Sequence, residues 1–420
     1  MFGAASEKLG FNERTLEEED IAFMQFCGLY PLNKFYTIYY FTSTTISLFT
    51  LGGMVVRSYL DEEMDVAFET AHVLLIATNM FTQNLISHYC HHIVEMLLRA
   101  IDKEFYSYGD TMDEETKKII NELNNEKIAR KKMSVKLFKF QVACAGIGVI
   151  VKRLLLVLFT DSASKKVDGE NWGIYQAPLS IYIPYSNYWG PYLLGMFLSC
   201  NSVLTIALTA MGAATTFIRF SEELLQQLQI IKLGLRNVLA RAHHLHTIKY
   251  GRPYPLVNGE TKEDFDKCLS ICLIKSVEHH TIVIKLFEEF KKMMKVPLFT
   301  VIFDGGALIC MSMALLITSE SASMKLLMPS FIAAELYYTY IYCAYGEKLT
   351  NLFTEIGDQL FLADWLIHQK TMKPYMLIMK AYSFYPKKLT AGGFTTPNLE
   401  SFGNVLRTAY SLLNFLVTQQ

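Results

Sequence analysis

Seven long apolar runs divide the 420-residue chain, at 37–56, 66–86, 137–159, 190–217, 296–318, 326–345 and 397–417. Each is near the roughly 20 residues that a helix needs to cross a bilayer's hydrocarbon core. The third is the least clean, because Lys152 and Arg153 interrupt it. The polar stretches between the runs carry a second pattern. In "RFSEELLQQLQIIKLGLRNVLARAHHLH" the residues Leu224, Leu225, Leu228, Ile231, Leu235, Val238 and Leu239 recur at helical spacing. "DFDKCLSICLIKSVEHHTIVIKLFEEFKKMMKVPLF" continues it to Pro297, and "KYGRPYPLVNGETKED" between the two reads as a loop. The spacing predicts that the fourth, fifth and sixth spans run on as long helices beyond the membrane. A shorter amphipathic helix is expected at 372–384, and the projecting helices bury their apolar stripes against one another.

Charge gives this arrangement a direction. Lys and Arg number nine between 88 and 136, thirteen between 218 and 295, and six between 346 and 396. The connections at 57–65, 160–189 and 319–325 hold only Arg57, Lys165 with Lys166, and Lys325. Basic residues collect on the cytoplasmic side, so the N-terminus is expected inside and the C-terminus outside. The expected fold class is all-α: seven transmembrane helices with an intracellular N-terminus and an extracellular C-terminus, plus a cytoplasmic helical anchor bundle. Residues 1–36 form the cytoplasmic N-terminal segment and 37–217 the first four spans. Residues 218–295 and 346–393 form the anchor, 296–345 spans five and six, and 394–420 the last span.

Composition agrees: 51% of residues are hydrophobic and only 19% charged, against about 25% in an average soluble domain. A net charge of -1 without a basic patch points away from nucleic acid. The acidic opening "MFGAASEKLGFNERTLEEED" lacks the apolar core of a signal peptide. Histidines cluster at His88, His91 and His92, at His243, His244 and His246, and at His279 and His280. None shows the spacing of a zinc site, and all read as structural. None of the eight cysteines falls in an expected outer loop, so no disulfide framework is implied. No phosphate loop and no triad is present, so no catalytic, metal or cofactor residue is expected.

Candidate chemistry lies inside the spans. Glu69, Lys152, Arg153, Asp304 and Glu335 are charged groups in apolar segments. There they either pair, for instance Arg153 with Glu69, or line a water-filled path. The outer halves of the spans offer an apolar surface with a few polar groups. Span two offers His72, Leu75 and Asn79, span three Ile147, Gly148 and Val151, span four Tyr192, Met196 and Ser199, and span six Met328 and Phe331. Brought together, they make a cleft for a small molecule. Taken singly, such stripes are also ordinary helix packing.

The two ends of the chain carry motifs. "KKLTAGGFTTPNLESFGNVLRTAYSLLNFL" (387–416) resembles the C-terminal signature of insect odorant receptors, with Arg407 where the signature has Lys and Ala409 where it has Ser. "YCAYGEKL" (342–349) resembles the end of that family's sixth span, "ADWLIHQKTMKPYMLIMKAY" (363–382) its approach to the last helices, and "MQFCGLYPLN" (24–33) its N-terminal motif. The resemblance implies an odorant-gated, non-selective cation channel, a tetramer of a tuning subunit and a shared odorant receptor co-receptor. It implies the plasma membrane of olfactory sensory neurons, a volatile ligand between the outer halves of spans two to six, and a pore lined by span seven. Leu413, Asn414, Leu416 and Val417 are then the candidate pore residues, and membrane lipid surrounds the rest. A gustatory receptor of the same superfamily has similar topology, but generally carries a Thr-Tyr pair where Ala409 here separates Thr408 from Tyr410. A G-protein-coupled odour receptor has the opposite orientation and an Arg-centred triplet closing its third span, where this chain has "TDSASKKVDG".

Overall fold

The computed structural model describes residues 21–29, 34–102, 105–159, 173–174, 178–185, 188–251, 262–319, 322–385 and 387–418. The side chains of 34, 100–102, 152–159, 173–174, 322–324 and 416–417 lie outside that description, and with them the expected pairing of Arg153 with Glu69.

Helices dominate these residues. After a helical turn at 21–26 come α1 (Lys34–Leu60), α2 (Met64–Tyr89), α3 (His91–Asp102), α4 (Glu114–Phe159), α5 (Trp189–Arg236) and α6 (Val238–Tyr250). Then follow α7 (Lys262–Thr318), α8 (Ala322–Ile356), α9 (Gln369–Phe384) and α10 (Leu399–Thr418). Between α4 and α5 a two-stranded antiparallel ribbon pairs β1 (Gly173–Ile174) with β2 (Ile181–Tyr182), and β2 rests on α1. Each of the seven apolar runs is the body of a helix. The fourth and fifth do continue as very long helices, α5 and α7, and the amphipathic stretch at 372–384 lies in α9. Among the described residues, three helical stretches are long and apolar enough to cross a membrane, Glu114–Val151, Trp189–Arg236 and Lys262–Thr318. The other four runs lie in α1, α2, α8 and α10, whose apolar residues are diluted by Ser, Thr, Asn or charged side chains.

The 88–136 stretch, between the second and third apolar runs, holds helices that its charge did not announce. It contains α3 and the first turns of α4. Ile93, Val94, Leu97 and Leu98 are buried at helical spacing, while Arg99, Lys117 and Lys118 face outward. High charge on one face concealed the period on the other.

Two cores result. The larger lies at the end of the bundle where α3, α5, α7, α8 and α9 converge. There Phe217 and Phe220 of α5 meet Phe290 of α7 and Tyr342 of α8, all at most 1% exposed. Two buried charged groups in this end are closely paired. Glu222 accepts from Arg130 at 3.2 Å and from the Tyr345 hydroxyl at 2.7 Å. Arg241, wholly buried, donates to the carbonyls of Thr111 and Gly234 and to Ser276 Oγ at 2.8–3.0 Å. Such pairing is the condition for burying charge. The smaller core joins α1, α2, α4, α5, α7 and α8 around Leu51, Ala77, Val149, Ile206, Leu315 and Leu327.

The C-terminal motif is a joint between these helices. Gly392 and Gly393 have φ +63° and +93°, which suit glycine. Ala391 N–H donates to Thr395 O at 2.8 Å and Gly392 N–H to Lys295 O of α7 at 2.8 Å. Asn398 Oδ1 then accepts from Ser401 N–H at 2.7 Å, capping α10. Glu347 of α8 accepts from Leu399 N–H at 2.8 Å. A Cβ on Gly346 would stand 2.3 Å from Pro397 O, so α8 must be glycine where the link crosses it. The "GE" ending "YCAYGE" and the "PNLE" starting α10 are therefore two halves of one contact.

Candidate functional site

A cavity of about 130 Å³ lies in the smaller core, between α2, α4, α5 and α8. An apolar void of roughly 150 Å³ is enough to bind benzene. From α2 come Val73, Ile76, Asn79 and Met80; from α4 Phe138, Val142, Ala145, Gly146 and Val149. Helix α5 supplies Val203, Ile206, Ala207 and Ala210, helix α8 Phe331, Ala334, Glu335 and Tyr338, and Leu308 and Leu179 complete the wall. The void exists because alanine and glycine face one another across it, on α4 at 145 and 146, on α5 at 207 and 210, and on α8 at 334.

The lining is almost wholly apolar. Asn79 Oδ1 accepts from Thr300 Oγ1 at 3.3 Å. The Tyr338 hydroxyl is tied to that of Tyr342 at 3.3 Å. Glu335 is the lining carboxylate, 9% exposed, and two neighbouring helices hold it in place. His72 Nε2 of α2 lies 2.7 Å from its Oε1, and Ser312 Oγ of α7 donates to its Oε2 at 2.9 Å. Nε2 also stands 2.9 Å from Ser312 Oγ, and Phe331 packs edge-on against the imidazole. The arrangement can hold a small apolar molecule and offer it one acceptor.

Of the residues expected to line a cleft, Asn79 and Phe331 do so. His72 stands one layer behind, fixing Glu335. Ser199 is buried and exchanges hydrogen bonds with Leu179, accepting from its N–H at 2.8 Å and donating to its carbonyl at 3.0 Å, which keeps Leu179 in the wall. Gly148 serves packing: a Cβ there would lie 2.6 Å from Leu327 Cδ1 of α8. Met328 is buried one turn from Phe331. Ile147 and Val151 are exposed, at 61% and 41%, on the opposite face of α4 from Ala145 and Val149. Leu75 is half-buried outside the wall. Tyr192, stacked on Trp189, and Met196 are also half-buried, and Tyr192 lies about 16 Å along α5 from Val203 at 1.5 Å per residue. The void thus sits deeper along α5 than expected, and on the other face of α4. Span three is apolar on every side, so its period could not choose a face; the small residues at 145, 146, 207 and 210 were the available signal.

Helix α10 has two faces. Val405, Ala409 and Leu413 are buried against Ile309, Cys310 and Ala314 of α7. Asn404, Arg407, Ser411, Asn414 and Thr418 are exposed at helical spacing on the other side. Of the expected pore residues, Leu413 is on the packed face and Asn414 on the exposed one. Leu416 and Val417 extend the helix, with side chains outside those described.

A bundle of long helices with an apolar pocket and a separately packed base is the architecture expected of a multi-pass membrane protein. The family model described as 7tm Odorant receptor matches residues 63–410, and the chain belongs to that family. It is similar to Odorant receptor 83a of Drosophila melanogaster, 21% identical over 225 residues, which is 53% of this chain and 48% of that protein. The match thus spans about half the length of that relative. The fold is similar to the olfactory receptor OR5 from Machilis hrabei in complex with eugenol, with a TM-score of 0.74 at 10% identity over 97% of this chain and 98% of that one. Against a second structure of the same receptor, the TM-score is 0.70 at 10% identity over 97% and 99%.

Proposed function

We propose that this chain is the tuning subunit of an odorant-gated cation channel that assembles with an odorant receptor co-receptor. The seven helices cross the membrane with the N-terminus inside, the ligand occupies the cavity between α2, α4, α5 and α8, and the base of the bundle is the cytoplasmic anchor. The observation that carries this reading is the cavity: an apolar, molecule-sized void in the part of the bundle with the thinner core. Four helices meet there, and a ligand that fits one of their arrangements better shifts the equilibrium by that difference in affinity. The exposed polar face of α10, with Ser411 and Asn414, faces the pore. Its packed face transmits motion from α7, which also supplies Leu308 to the cavity.

The test is current recording from cells expressing the chain with and without a co-receptor, against a panel of volatiles. Odour-evoked cation current is expected only in the paired cells. Ala145→Phe, which fills the cavity, is expected to abolish the responses or confine them to smaller ligands while surface labelling stays unchanged. Responses untouched by that substitution would move the ligand elsewhere.

A further inference from the structure

Glu335 stands out within the cavity. The rest of the wall is hydrocarbon apart from an asparagine and a tyrosine hydroxyl already bonded to a neighbour, yet two neighbouring helices build a support for this one carboxylate. His72 gives its Nε2–H to Oε1 and Ser312 its hydroxyl hydrogen to Oε2. A carboxylate has about four lone-pair directions, so two donors leave capacity unused. The residue lines the void, and the two fixed donors come from α2 and α7 behind it.

We propose that Glu335 is the specificity-determining residue of the cavity, selecting small apolar ligands that carry one hydrogen-bond donor, a hydroxyl or an amine. This rests on the cavity being the ligand site, as proposed above. A ligand without a donor strips the carboxylate of solvent and gives nothing back, whereas an O–H or N–H replaces what is lost. Sites built to bond a hydroxyl or amine reject the analogue lacking it far more strongly than apolar pockets sort ligands by size. His72 and Ser312 are positioning residues: they hold the carboxylate at the wall and leave its free lone pairs to the void.

The experiment records currents from the full chain with co-receptor against C6–C8 skeletons, each offered as alcohol, amine, aldehyde or ketone, and hydrocarbon. Every active compound is compared with its own analogues. Alcohols or amines are expected to act at concentrations on the order of 10- to 100-fold lower than the carbonyl and hydrocarbon forms, the usual worth of a hydrogen bond to a charged group. In Glu335→Gln the amines are expected to lose their response and the carbonyl compounds to gain, because an amide can donate to them. Ser312→Ala keeps the carboxylate and is expected to keep the order of preference, with surface labelling confirming that each variant reaches the membrane. Carbonyl or hydrocarbon forms as potent as their donor analogues would overturn the inference, as would an unchanged order in Glu335→Gln or an order lost equally in Ser312→Ala. If Ala145→Phe removes responses while Glu335→Gln leaves the order intact, the cavity reading stands and donor selection falls. If neither has an effect, both fall.

Discussion

The two ends of this bundle bury polar groups in opposite ways. In the base, Glu222, Arg241 and His279 are wedged among aromatic and aliphatic side chains with their bonds closed by several partners. Around the cavity, Glu335 is braced by His72 and Ser312 and lines a void. The same helices, α5, α7 and α8, supply both environments, so the difference lies in side-chain volume. Phenylalanines fill the base; alanines and glycines leave room above it. A bundle packed tightly throughout holds one arrangement, and one loose throughout has no fixed frame. Tight at one end and open at the other, this chain can respond locally without coming apart.

The comparison is most exposed to paired core truncations. Leu273 of α7 is fully buried in the base, and Leu308 of the same helix is 7% exposed at the cavity. Leu→Ala substitutions cost about 2.7–5.0 kcal/mol, more where a larger hole is left. Leu273→Ala is expected near the upper end and Leu308→Ala near the lower, because Leu308 already borders empty space. Thermal unfolding of the detergent-solubilised protein measures both. Equal losses would mean that the base is no better packed than the cavity wall.

A second substitution tests the joint between the halves. The Cβ of Gly346→Ala would meet the Pro397 carbonyl at 2.3 Å, a backbone atom held by the α10 cap. Overpacking of this kind costs about 1–3 kcal/mol. Here it is expected to lower odour-evoked current more than surface expression, because the strain falls on the entry to α10. Gly403→Ala, with open space around it, serves as the control and is expected to behave as the native chain. Equal loss of current and expression in Gly346→Ala would make the joint merely structural.

The helices were legible in sequence where apolar runs were long, as in α5 and α7. They were not where charge covered one face, as at Ile93 to Leu98. The C-terminal motif marked the joint, although only geometry shows why "YCAYGE" and "PNLE" travel together. Asn79 and Phe331 could be picked out because their helices have distinct faces. Val149 could not be told from Val151, since α4 is apolar all round and neighbours alone decide which side is buried. Ser312 was invisible for another reason: a serine in an apolar helix gains meaning only from the His72 and Glu335 brought to it by other helices.

A graded effect on the base concerns acid. His279 of the base is 1% exposed; its Nδ1 accepts from the Tyr108 hydroxyl at 3.0 Å, and its Nε2–H donates to Gln227 Oε1 at 3.0 Å. Both bonds fit the neutral ring. Burial pushes its pKa down to about 3 and that of His280 to about 4, from an ordinary value of 6.5. Between pH 6.5 and about 4 the unfolded chain therefore binds protons that the folded base refuses. Stability is full above 6.5 and falls with pH, by up to about 1.4 kcal/mol per pH unit for each ring. Thermal midpoints in detergent from pH 7.5 to 5 are expected to drop, and His280→Phe to drop less steeply than the native chain. An identical slope in the two would mean that His280 already carries a proton in the folded base, and that this end of the bundle is wetter than its packing implies.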